Sequence, residues 1–145
     1  FLQKKPSGHS GMGTTLAANM LATAALVACL EHVMTDEAYR HMNSLANSLT
    51  QGLEQILHSH SLPWHITRVG ARVELCFTST PARTARESLN AGSPLIEQAL
   101  HLYLLNRGVL VTPFHNMMLI SPATSMEQVN KLLTAFADCI DELLT

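Results

Sequence analysis

The sequence predicts an α+β fold in which a small, mostly antiparallel sheet is covered by helices. Three observations predict it. Long segments repeat apolar residues at helical spacing, whereas short segments have strand character on both sides of a turn. The 145 residues are 47% hydrophobic, which gives room for one domain with a core. The order along the chain is helix, helix, hairpin, helix, hairpin, helix.

The first helix, about residues 16–34, is apolar on nearly every side. A helix of this kind is expected to be buried on most sides. The other helices need their own apolar stripes for the sheet, so part of this helix must meet something else. We therefore expect the isolated chain to self-associate, or to leave the segment before Asn19 disordered, because large apolar patches are uncommon on monomers.

The second helix has a clear start, because Thr35 supplies an N-cap and Asp36 and Glu37 an acidic first turn. Its apolar residues then follow at helical spacing: Ala38, Met42, Leu45, Leu49, Leu53 and Ile56. Next, residues 64–69 and 73–78 are predicted to pair as a hairpin around Gly70-Ala71.

Residues 81–92 are rich in small and polar residues and are predicted to be a surface loop. A third amphipathic helix follows over 93–106 and is closed by Gly108 at a C′-type position. Residues 109–112 and 117–120 are predicted to be two further strands.

The last helix is predicted to begin at the segment Thr124-Ser125-Met126-Glu127, which has the Thr-x-x-Glu form of a capping box. Its predicted core face consists of seven residues at helical spacing: Val129, Leu132, Leu133, Phe136, Cys139, Ile140 and Leu143.

A glycine and hydroxyl loop, residues 11–19, runs straight into the first helix. Glycines let the backbone approach a ligand, threonine hydroxyls can bond phosphate oxygens, and a helix N-terminus offers unpaired N–H groups. The spacing is that of neither a P-loop nor a dinucleotide fingerprint. From the residues alone, this segment is either a phosphate site or a loop that binds nothing.

The run from Thr14 to Ala25 resembles the Gly-Thr-Leu-(Ser/Ala)-Gly-Asn-Pro segment of class III pyridoxal-phosphate aminotransferases, the group that includes glutamate-1-semialdehyde aminomutase. Thr15 takes the place of the family threonine and Asn19 that of the asparagine. Thr14, Ala18 and Met20 depart from the pattern. Two later segments, 106–113 and 119–124, are similar to family strands in the same order.

The resemblance implies that this chain is the C-terminal domain of a longer fold-type-I enzyme, with residues 1–15 leading from the missing large domain and residues 16–145 forming the small domain with its linking helix. The full-length enzyme would move an amino group between a small-molecule donor and a carbonyl acceptor. Thr15 and Thr14 would hold the phosphate of pyridoxal 5′-phosphate across the interface of a homodimer.

The residues that carry the family's chemistry are expected outside this chain. The resemblance places the catalytic lysine before Phe1, and Lys4 and Lys5 are interpreted as a solvated basic pair. We therefore predict no catalytic residue here and no activity for the fragment alone.

His115 and Asn116 are candidate substrate contacts, because they lie in the turn between two predicted strands, where binding groups often lie. In the resemblance this turn faces the active site. Ile120 stands where some members have a carboxylate-binding arginine, and Asn116 is nearest to the glutamate of the aminomutase-like members. The alternative is an Asx-type turn that only shapes the hairpin.

The composition of the chain argues against two classes of partner, nucleic acids and membranes. A formal net charge of −2 with no basic patch argues against nucleic acid, and the apolar run 16–30 is too short to span a bilayer. Cys29, Cys76 and Cys139 are interpreted as buried thiols in a reducing cytoplasm.

The histidines do not form a convincing metal site. His58, His60 and His65 lie near a predicted helix end without a completing acidic or thiol ligand, so a polar helix terminus is the better interpretation.

A second function class stays open from the sequence: a non-enzymatic α+β domain that buries its alanine-rich helix against a partner chain.

Overall fold

The computed structural model describes residues 19–113 and 115–144. Within them lie five helices and three strands: α1 Met20–His32, α2 Asp36–Ser59, β1 His65–Val69, β2 Arg72–Cys76, α3 Ala85–Asn90, α4 Pro94–Asn106, β3 Met117–Leu119 and α5 Met126–Leu144. The chain divides into two compact units, one that contains α1 and ends at Thr35 and one that begins at Asp36.

Helix α1 is well formed but contributes no buried side chain. It begins at the N-cap Asn19, whose Oδ1 accepts a hydrogen bond of 2.9 Å from the backbone N–H of Ala22. The prediction that this helix is buried on most sides is therefore wrong within this chain. Its apolar residues are spread around the helix, so no single face is set apart for packing.

Helix α2 is amphipathic, as predicted, and packs against β1, β2 and α5. Six of its residues form the buried face: Met42, Leu45, Ala46, Leu49, Leu53 and Leu57. The helix ends in a Schellman motif. Ser61 has φ +52°, its N–H donates to the oxygen of His58 over 3.1 Å, and Leu62 N–H donates to the oxygen of Leu57 over 3.0 Å.

The sheet is antiparallel in the order β1-β2-β3, which confirms the predicted architecture. The turn between β1 and β2 is Gly70-Ala71, with Gly70 at φ +59°. Side chains alternate along β2, so Val73 and Leu75 are buried in the core whereas Arg72 and Glu74 point to the opposite face.

The core lies where α5 packs against α2 and α4. Gly52 of α2 allows a close approach of α5, since a Cβ placed there would lie 2.5 Å from Leu133 Cδ1. At the surface, the Tyr103 hydroxyl donates to Glu142 over 2.6 Å, and the Arg107 guanidinium lies 3.4 Å from the centre of the Tyr103 ring. The bond from Tyr103 to Glu142 attaches α4 to the end of α5.

The predicted loop over 81–92 is wrong in part, because it contains α3. Thr84 is the N-cap, and its hydroxyl accepts from Glu87 N–H over 3.2 Å. The carboxylate of Glu87 accepts from Arg83 N–H in return. The signal was present in the sequence as Thr-x-x-Glu, but no apolar repeat accompanied it.

The predicted second hairpin is only partly formed. Residues 109–112 are not a strand, and one backbone bond, from Thr112 N–H to Met117 O over 3.1 Å, joins them to β3. Gly108, at φ +72°, closes α4 as predicted. A cleft of about 310 Å³ is lined by residues 108–111 and 118–120, among others.

The capping box of α5 is shifted by one residue from the prediction. Ser125 N–H donates to the side chain of Gln128 over 2.9 Å, and Gln128 N–H donates back to the Ser125 hydroxyl over 3.3 Å. Thr124 instead accepts from Ser121 N–H over 3.0 Å, so it stabilises the turn before the helix.

Candidate functional site

The predicted phosphate contacts, Thr14 and Thr15, lie outside the described residues. The structure does describe the element that follows them. Asn19 caps α1, and the helix begins at Met20. A helix N-terminus is chemically suited to a phosphate group, since it offers N–H donors and the positive end of the helix dipole.

The predicted substrate contacts lie together in the turn that leads into β3. His115 and Asn116 both have left-handed backbone conformations, with φ +58° and +42°. The turn is tied at its base, because the Thr112 hydroxyl accepts from Met117 N–H over 3.1 Å. Asparagine and histidine tolerate this conformation better than most residues, but it still costs free energy and often marks functional sites.

The His115 side chain is 54% exposed and faces a carboxylate, with Nδ1 lying 3.4 Å from Glu74 Oε1. The other oxygen of Glu74 accepts a bond of 3.3 Å from Arg72 Nη2. Sequence reasoning missed Glu74. Its neighbourhood depends on the strand register, which sets Glu74 opposite Met117, directly after the turn.

Asn116 is the buried member of the turn, at 2% exposure. Neither Nδ2 nor Oδ1 of its amide has a hydrogen-bond partner among the residues that the structure describes. An unsatisfied buried polar group costs about 1–3 kcal/mol. The amide is therefore a polar group with unused donor and acceptor capacity beside the turn.

A small cavity of about 50 Å³ lies next to the turn and is lined by His65, Glu74, Cys76, Glu97 and His115 among others. Burial raises the pKa of the Cys76 thiol, although the Thr67 hydroxyl 3.6 Å away opposes that shift. The volume suits a water molecule but not an amino acid.

Three further candidate positions lie outside the turn. Ile120 is buried and apolar, so the position after β3 carries no cation. Within 19–113 and 115–144, no three His, Cys, Asp or Glu side chains are grouped as a metal site. His60 instead bonds to Asp141 over 2.7 Å and to the oxygen of Ile56 over 2.8 Å.

The cysteine interpretation holds for one residue. Cys139 is buried, and burial raises its pKa to about 11. Cys76 is half-buried, and Cys29 is exposed because α1 buries no side chain. No helix in the described part of the chain is long and apolar enough to cross a membrane.

Comparison with known proteins places these features in a family. The aminotransferase class-III family model matches residues 3–140. Glutamate-1-semialdehyde 2,1-aminomutases from Thermus thermophilus and Thermomicrobium roseum are each 31% identical, over 93% and 77% of this chain. Those matches cover 32% and 26% of the relatives, so this chain spans about a third of their length or less.

Solved structures give the same result. A glutamate-1-semialdehyde aminomutase from Pseudomonas aeruginosa, in complex with PMP, is 50% identical with a TM-score of 0.85, over 96% of this chain and 31% of that one. An omega-transaminase from Sphaerobacter thermophilus, at 20% identity and a TM-score of 0.74, shares the fold over 94% of this chain and 31% of that one. The α+β fold is thus confirmed as that of the corresponding part of these enzymes.

Proposed function

We propose that this chain, which belongs to the class III aminotransferase family, is the C-terminal part of a longer enzyme that uses pyridoxal 5′-phosphate to transfer amino groups. The observation that carries the proposal is the match to the Pseudomonas aeruginosa aminomutase, at 50% identity over 96% of this chain but only 31% of that protein. The reaction moves an amino group between a small-molecule amino donor and a carbonyl acceptor.

The cofactor phosphate is held by Thr15 and Thr14, which precede the N-cap of α1 in the sequence. Hydroxyl donors followed by a capped helix N-terminus fit a phosphate dianion, and Asn19 secures that end of the helix. When bound, pyridoxal phosphate supplies an electron sink for the carbanion at the amino-bearing carbon. This chain then contributes binding, while the lysine that attaches the cofactor lies before Phe1.

The exposed apolar surface of α1 is covered in the full enzyme by the large domain and by the second subunit of a homodimer. Leu21, Leu26 and Leu30 are all more than half exposed. Exposed apolar surface of this extent is typical of an interface on soluble proteins. In the full enzyme, residues 1–15 lead from the large domain, and residues 16–145 form the small domain with its linking helix.

The substrate meets this chain at His115 and Asn116. His115 offers a half-exposed imidazole, and Asn116 offers an amide that bonds to none of the residues in 19–113 and 115–144. Ile120 supplies no charge, so no bidentate arginine clamp comes from this position. The turn therefore recognises substrate through hydrogen bonds from an imidazole and an amide.

The three unpaired thiols suit a cytoplasmic protein.

An absorbance spectrum tests the proposal directly. The protein encoded by the complete reading frame is expected to bind pyridoxal phosphate with a yellow chromophore that borohydride removes, and the 145-residue chain alone is expected to show no specific chromophore. A complete reading frame that adds no large domain, with no cofactor bound, would favour a non-enzymatic interaction domain.

A further inference from the structure

Residues 109–112, here called the strap, are attached to the rest of the fold at both ends. At one end Gly108, with φ +72°, leads out of α4, and the Lys131 ammonium donates to its oxygen over 3.3 Å. At the other end Thr112 N–H donates to the oxygen of Met117 on β3 over 3.1 Å. Between these points, where the structure describes every residue, no backbone hydrogen bond joins the strap to β3. Only the middle of the strap is left without such a bond.

The side chains of the strap already match β3 in the register that this bond sets. If the antiparallel pairing continued, Val111 would lie opposite Met118 and Leu110 opposite Leu119. Val111 and Met118 are each 4% exposed, whereas Leu110 and Leu119 are 78% and 63% exposed. Opposite residues of a ladder lie on the same face of a sheet, so both pairs have the burial that this register requires.

The backbone of Leu119 is also oriented toward a partner on this side. Ile120 N–H donates to the oxygen of Ala71 over 3.1 Å, which directs the backbone groups of Ile120 toward β2. Backbone groups alternate sides along a strand, so the N–H and C=O of Leu119 face away from β2. Pairing with Leu110 would give partners to both groups, and it would cover an open strand edge.

The contact from Lys131 opposes this pairing. Its side chain lines the cleft of about 310 Å³ together with Leu110 and Leu119, so it occupies space beside the strap. A Cβ on Gly108 would lie 2.9 Å from Lys131 Nζ, so the absence of a side chain there allows the ammonium to come close. The open arrangement keeps one hydrogen bond from Lys131, and the closed one gains the bonds of a single residue pair. Since each such bond contributes little net free energy, the two arrangements are close in stability.

We infer that the strap closes onto β3 by pairing Leu110 with Leu119, and that Lys131 is the contact that holds it open. Closure adds a fourth strand to the sheet. It also gives the turn that follows the strap a second backbone pair at its base. The inference goes beyond the proposed function and does not depend on it.

A pair of cysteines detects the closed state in the full-length protein. Hydrogen-bonded partners in an antiparallel ladder have Cα atoms about 5.5 Å apart, which suits a disulfide. We therefore expect Leu110→Cys with Leu119→Cys to form a disulfide under oxidised glutathione, identified by peptide mass mapping. The control pairs Leu110→Cys with Arg72→Cys. Arg72 lies opposite Leu119 on β2, two strand spacings or about 10 Å from Leu110 in the closed state, so no disulfide is expected.

Hydrogen exchange measures the balance between the two states without added cysteines. The amide of Leu119 is followed in the full-length protein by mass spectrometry with residue-level fragmentation. We expect Lys131→Met to slow its exchange by up to about tenfold, because the open state loses one hydrogen bond. Lys131→Arg is the matched control. Its guanidinium can still donate to the oxygen of Gly108, so exchange at Leu119 is expected to match that of the native protein.

Three results would overturn the inference. The first is a folded double-cysteine variant that forms no disulfide between positions 110 and 119. The second is equal disulfide formation in the control pair, which would show that the strap has no preferred register. The third is an exchange rate at Leu119 that Lys131→Met leaves unchanged, and this measurement decides the matter if the cysteine variants do not fold. None of these readouts uses the cofactor or activity, so they are separate from a failure of the proposed function.

Discussion

Helices α1 and α2 follow one another along the chain, yet they relate to the core in opposite ways. α1 is apolar over most of its length and buries no side chain, whereas α2 is polar on average and buries six. Burial in this chain therefore follows the arrangement of apolar residues rather than their number. An amphipathic helix packs within its own domain, and a helix that is apolar on every side requires partners beyond it.

The largest expected effect comes from the same substitution in each helix. Leu53→Ala in α2 removes a side chain with 0% exposure and is expected to lower the free energy of unfolding by about 2–5 kcal/mol. Leu26→Ala in α1, at 57% exposure, is expected to change it by no more than about 0.5 kcal/mol. Urea unfolding of the two variants of this chain measures both values. Equal losses would break the contrast between the helices.

The packing of α2 is tested next at Gly52. Gly52→Ala adds a Cβ that would lie 2.5 Å from Leu133 Cδ1, so we expect a loss of about 1 kcal/mol, which is the overpacking cost reduced by the gain in helix propensity. In a Leu133→Ala background the clash is absent. There, Gly52→Ala is expected to stabilise the chain by up to about 1 kcal/mol. The same sign in both backgrounds would show that the close approach does not limit this position.

A smaller effect is expected where α2 ends. Ser61 has φ +52°, so Ser61→Gly removes an unfavourable backbone conformation and should raise stability by about 0.5–1 kcal/mol. The control is Ser59→Gly, within the last turn of the helix, which should lower stability by a similar amount. Thermal unfolding of the two variants compares them. A loss of stability in Ser61→Gly would contradict the Schellman end.

The smallest expected effect depends on pH. It comes from the contact between His60, directly after α2, and Asp141 of α5. The pKa of His60 is raised from 6.5 by its bond to the oxygen of Ile56 and, second, by its bond to Asp141. Its contribution to stability is therefore complete below about pH 6.5 and declines as the pH rises through the higher folded-state value. Asp141→Asn should reduce this slope, as measured by unfolding from about pH 5 to pH 8. An unchanged slope would show that the His60–Asp141 pair does not cause the pH dependence of stability.

The elements with a strong periodic signal could be predicted from the sequence. The helical spacing of Met42, Leu45 and Leu49 predicted α2, and Gly70-Ala71 predicted the first hairpin. Helix α3 was missed because it is short and buries no side chain, so only its Thr84–Glu87 cap marked it.

The candidate site was predictable only in part. His115 and Asn116 could be located as a turn, because a turn is a local feature of the sequence. Their surroundings are not local. Glu74 reaches His115 through strand register, and the burial of Asn116 results from packing that no residue pattern reports. The strand predicted at 109–112 is absent for a similar reason. Strand formation depends on the register of a partner strand, which is not a local feature of the sequence.

We propose that this chain is the C-terminal part of a longer enzyme and that the lysine which attaches the cofactor lies elsewhere in that protein. This claim is tested most directly by fixing the bound cofactor with borohydride in the protein from the complete reading frame and mapping the modified lysine by mass spectrometry. We predict one stoichiometric adduct, at a lysine before Phe1. A stoichiometric adduct on Lys4, Lys5 or Lys131, the three lysines of this chain, would contradict the account.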